Sequence, residues 1–196
     1  MTDAQGLQRL LTWLSPAFPV GTFAWSGGLE TAIADRRVTD RSAVEDWIVG
    51  SLRRGALRTD AIILSASWRA HADAAALAEA ATLALALISA AERHAETLIT
   101  GDAFITAAAA WPDPVLARLP ANCPYPVAIG AVAAAHGIGL AETLIAFLTA
   151  AVHSQVSVAV RLVPLGQTAG LAVAATLEPA VRDVAEAAAS SSLADI

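Results

Sequence analysis

The residue types that most often carry chemistry are few in this chain and poorly spaced for it. Four histidines (His71, His94, His136 and His153) and one cysteine, Cys123, are scattered along it. No two histidines fall three or four positions apart, the spacing that sets two ligands on one helical face. Cys123 has no cysteine partner. These residues do not make a stable metal site within one chain; a transient site shared with another subunit stays open. There is no GxxxxGK[ST] loop to cradle the phosphates of a nucleotide. Gly137-Ile138-Gly139 is a glycine pair in a turn with no strand before it. Ser26 sits between Trp25 and Gly27, outside any G-x-S-x-G elbow. No catalytic residue, cofactor site or metal ligand set is assigned from this inventory.

Three charged residues carry more information. Arg161 closes a long apolar run. There a cation complements the negative end of a helix dipole, or offers a planar fork of donors to a partner. Glu30, near the start of its helix, has the mirrored pair of roles. Asp60 reads as a helix cap.

The elements that must position these residues read as helices throughout. Leu7, Leu10, Leu11 and Leu14 recur at helical spacing over residues 4–14. Residues 12–33 then break the pattern with Pro16, Pro19, glycines and aromatics. Large aromatics on such a loop either plug the core or form a patch for a partner. Ser26 is expected to cap a helix running to about residue 35. Ser42-x-x-Glu45 reads as a capping box, and Gly55 as a stop. Thr59 or Asp60 is expected to open the next helix, and Asp73 the one after. A further helix spans residues 90–111. Pro126 suits the first turn of a helix to residue 135. The longest helix, residues 141–162, is apolar on most faces, as a central buried helix would be. Pro164 and Gly166 end it, one helix follows to residue 177, and Pro179 opens a last one. No run alternates with period two. The fold class expected is all-α: a single compact domain over residues 1–196, of roughly eight to ten helices around a central apolar helix.

Composition narrows the class. Of 196 residues, 56% are hydrophobic and 15% charged, with a net charge of -6. The acidic balance argues against a nucleic-acid partner. A lone cysteine suits a reducing compartment, and the first ten residues show no signal-peptide pattern. The uncharged run between Glu142 and Arg161 has the length of a minimal span, yet it holds His153-Ser154-Gln155 and lacks flanking basic clusters or aromatic belts. A cytoplasmic protein, not inserted in a membrane, is expected, with apolar surface left for partners or self-association. A small helical membrane protein and a helical enzyme with an unrecognised site are the competing classes.

Two motifs resemble the UreF family of urease accessory proteins. The first is Ser15-Pro16-x-x-Pro19-Val20-Gly21-x-Phe23 with Ser26-x-Gly28-Leu29-Glu30; the second is Val160-Arg161-Leu162-Val163-Pro164-Leu165-Gly166-Gln167. Thr59-Asp60 and Tyr125-Pro126-Val127-x-x-Gly130 also fit. The resemblance implies an all-helical, non-catalytic protein without a stable cofactor, nickel being cargo of the assembly. It implies binding to UreD (also called UreH), recruitment or regulation of the GTPase UreG, nickel insertion into apo-urease, and a homodimer. The partner-binding residues it implies are Pro19, Gly21, Phe23, Trp25, Ser26, Glu30, Arg161, Pro164, Gly166 and Gln167. Trp25 stands where tyrosine is more usual, Gly27 where a polar residue is, and His94 where the family has arginine. Family members usually continue past a segment like residues 191–196 into a polar tail, so a shortened chain is expected.

Overall fold

The computed structural model describes residues 4–22 and 25–196. Among the described residues there are nine α-helices and no strand: α1 (Ala4–Trp13), α2 (Leu29–Ala34), α3 (Arg41–Arg54), α4 (Ala56–Arg69), α5 (Ala74–Ala86), α6 (Ala91–Ala108), α7 (Tyr125–Ala135), α8 (Leu140–Leu162) and α9 (Gln167–Ser190). One hydrophobic core joins them.

The innermost helix is α7. Pro126 to Ala133 are all buried, and a run of more than two turns leaves no face for solvent. Alanine, valine and glycine let its neighbours come close. At Gly130 the helix backbone lies directly against Leu64 and Trp68 of α4. Gly101 does the same for α6, against the backbone of Cys123 and Tyr125. Trp68 Nε1 ties α4 to the end of this layer by donating to the Ile138 carbonyl at 2.8 Å. The longest apolar run, α8, is a core helix with one wet side: half of its most apolar stretch is buried. It packs against α9, α4, α2 and α3. The centre is therefore shared, with α7 more fully enclosed than the helix expected there.

The aromatics of the proline-rich region divide. Trp13 is fully buried and meets Phe104, Trp111 and His136 with ring centroids at 6.1, 5.8 and 5.3 Å. Phe18 is buried on the same cluster, 5.9 Å from Phe104 and 6.3 Å from Trp111. These two are core plugs, and they anchor α1 to α6.

Several helix boundaries differ from those expected, each for a local reason. Asp40, not Ser42, caps α3: its Oδ1 accepts from the Ala43 amide at 3.0 Å, and Glu45 pairs with Arg41 at 2.7 Å. Asp60 is no cap, because α4 already starts at Ala56 and carries it one turn in. Helix α2 begins only at Leu29, since Gly27 and Gly28 both hold positive φ, 59° and 85°. Pro179 starts nothing; it lies inside the continuous α9. Its missing N–H frees the Ala175 carbonyl, and both residues are exposed, so water can satisfy that group. Asp73 caps α5 as expected, accepting from Ala75 and Ala76 at 2.9 and 3.1 Å. Pro126 occupies the first turn of α7.

Candidate partner-binding surface

The second motif straddles the turn from α8 to α9. Val163 breaks α8 with an extended backbone, and Gly166 stands just before the first residue of α9, Gln167. Val163 is buried, which pins the turn, while Arg161, Pro164, Gly166 and Gln167 are exposed. Arg161 lies in the last turn of α8, where the dipole favours a cation. It takes part in no ion pair among the described residues. Arg161 and Gln167 border one depression of about 320 Å³.

The first motif is split between loop and helix. Pro19 and Gly21 are exposed, and Gly21 needs its glycine: φ is 73°. Trp25 and Ser26 are half-buried, and Glu30 is exposed in the first turn of α2. Ser26 Oγ accepts a long hydrogen bond from the Glu30 amide at 3.4 Å. Phe23 lies outside the described residues. The loop approaches α8 at Gly27, whose Cα substituent would stand 3.7 Å from Gln155 Nε2. Thus α2 rests on α8, the helix that also carries Arg161. No hydrogen bond or ion pair joins the two motifs among the described residues.

One buried charged cluster is structural. Arg93 of α6 pairs with Asp60 of α4 and, at 2.9 Å, with Glu96. Burial pushes both carboxyls up, and Arg93 partly opposes this. For Arg93 itself, burial disfavours the charge, but the two carboxylates outweigh it and hold the guanidinium firmly charged. This bridge escaped the sequence reading, which looked to His94. The i,i+3 spacing of Arg93 and Glu96 was the available signal. Cys123 is buried, and burial, aided by Asp102, raises its thiol to about 12. A buried thiol held this far up is a poor nucleophile at neutral pH. No cluster of three metal-ligating side chains occurs among the described residues.

Comparison with known proteins gives this surface its context. The profile of the UreF family matches residues 38–178. The chain belongs to the UreF family. It is 52% identical to the urease accessory protein UreF of Agrobacterium fabrum over 97% of this chain and 85% of that protein. The UreF of Rhizobium etli is 49% identical over 99% of this chain and 87% of its own. That of Mesorhizobium japonicum is 46% identical over 100% and 89%. Members of this family are non-catalytic accessory proteins of urease, in keeping with the lack of a catalytic constellation in the sequence.

Proposed function

We propose that this UreF-family chain is a non-catalytic adaptor of urease metallocentre assembly. It binds UreD (UreH), and the pair recruits or regulates the GTPase UreG so that nickel enters apo-urease. It works as a homodimer in the cytoplasm and handles nickel as cargo, without a site of its own. The observation that carries this reading is the exposure of Arg161, Pro164, Gly166 and Gln167 on a turn pinned from beneath by Val163. Four motif residues presented on a rigid corner, with the cation unpaired, suit recognition better than packing. Pro19, Gly21, Phe23, Trp25, Ser26 and Glu30 form the second part of the proposed contact. The residues enclosed around α7 are assigned no binding role.

The test is capture of purified UreD by the wild-type chain and by its Arg161→Ala variant. We expect the variant to melt with the wild type and to lose about tenfold or more in affinity. A variant that melts early but binds with wild-type affinity would make Arg161 a helix-end charge and remove the basis for this surface.

A further inference from the structure

Gln155 lies inside α8 with 8% of its surface exposed. Its Oε1 is enclosed and meets no donor among the described residues. An enclosed acceptor of this kind destabilises the chain for as long as it stays unpaired. The other end of the same carboxamide adjoins the loop of the first motif: Nε2 stands 3.7 Å from where a methyl on Gly27 would be. That loop holds what the oxygen lacks. Gly27 and Gly28 are exposed and keep positive φ, 59° and 85°. The next two amides are taken, Leu29 by the Ser26 carbonyl at 3.2 Å and Glu30 by Ser26 Oγ. The amides of Gly27 and Gly28 donate to no acceptor among the described residues, so water satisfies them. Two donors that rely on water thus neighbour a buried acceptor that has no donor.

We propose that Gln155 is a positioning residue of the partner-binding surface: when an accessory-protein partner covers the loop, Gln155 Oε1 accepts from the Gly27 or Gly28 amide and fastens the loop to α8. The inference rests on the adaptor reading above and adds the residue that sets the loop. A partner seated on Trp25 and Ser26 removes water from the two amides beside them, and a donor cut off from water needs a protein acceptor. The last torsion of a glutamine is broad, so the carboxamide turns Oε1 toward Gly27 without moving the backbone of α8. Glycine gives the loop the freedom to close the remaining distance. The bond exists only in the complex, so it adds to affinity and not to the stability of the free chain. It also ties the first motif to the helix that carries Arg161, about 9 Å further along at the helical rise.

The test uses Gln155→Met, which keeps a side chain of similar length and removes its hydrogen-bonding group. Thermal unfolding, titration with purified UreD and backbone hydrogen exchange over residues 25–30 are measured on the full chain and on the variant. The variant is expected to melt at or above the wild-type temperature, because an unpaired buried acceptor is gone. Its affinity for UreD should fall about three- to tenfold, the worth of one hydrogen bond. At saturating UreD the Gly27 and Gly28 amides should exchange more slowly in the wild-type complex than in the variant complex. Equal exchange in the two saturated complexes, whether slow or fast, overturns the proposal. A variant that melts early and binds with wild-type affinity overturns it as well and makes Gln155 a packing residue. A wild-type chain that does not bind UreD refutes the adaptor reading and this inference with it; the wild-type titration reads that failure apart from the comparison with the variant.

Discussion

Gly130→Ala tests the packing on which the whole arrangement depends. In an open helix, alanine in place of glycine gains about 1 kcal/mol from backbone entropy alone. Gly130, however, faces the backbone of α4. A methyl there would overlap the Leu64 carbonyl oxygen and lie 3.1 Å from both the Leu64 carbonyl carbon and the Trp68 amide nitrogen. Ordinary contacts of this kind lie near ~3.5 Å, and backbone cannot rotate away as a side chain can. Helix α7 would have to lift off α4 along the face where these two helices pack most extensively. Overpacking of this sort costs about 1–3 kcal/mol. Because the clash is with backbone, we expect the upper part of that range, a net loss of about 1–2 kcal/mol. For a chain of this size that lowers Tm by roughly 2–8 °C. Gly50→Ala in α3 is the matched control, since nothing lies within 4 Å of a methyl there. It should raise Tm by roughly 1–4 °C. Thermal unfolding followed by circular dichroism at 222 nm gives both values. If Gly130→Ala raised Tm as much as Gly50→Ala does, the close approach of α4 and α7 would be refuted.

Two further predictions concern titrating groups. Arg93→Met leaves Asp60 and Glu96 without their cation and should cost roughly 3 kcal/mol at neutral pH, measured by urea unfolding. Both carboxyls are held above their ordinary values by burial, so the variant should be most stable in acid. It should lose stability as pH rises through those raised values; a pH-independent loss would deny the buried pairing. His136 accepts from Arg9 at 3.0 Å through Nδ1, and burial followed by Arg9 lowers its pKa, with Asp113 partly opposing. A depressed histidine stabilises the fold above its ordinary value and loses that contribution as pH falls below it. His136→Gln should therefore flatten the stability profile as pH falls below about 6.5, the ordinary histidine value; an unchanged profile would place the acid sensitivity elsewhere.

What the sequence disclosed was mostly local. Asp73 and Pro126 mark helix starts because their capping and φ constraints act within one turn. Gly130 stood inside a motif, but its role depends on α4, far away in sequence. Asp60 looked like a cap for the same reason: its partner Arg93 comes from another helix. Pro179 misled because only the tertiary fold determines whether the freed Ala175 carbonyl meets water. At the candidate site, the sequence singled out Arg161 and the turn through Gly166, and the fold leaves them exposed. It could not separate Trp13 and Phe18, which are core, from Pro19 and Gly21, which are not. That division follows from which side chains at the end of α1 and on the loop after it face Phe104.

The most direct test of the adaptor account is urease activation in a purified mixture of apo-urease, UreD, UreG, nickel, bicarbonate and GTP. Ammonia release is followed with and without this chain. The account predicts urease activity only when the chain is present, and a marked loss when Arg161→Ala replaces it. Equal activation in its absence would contradict the account.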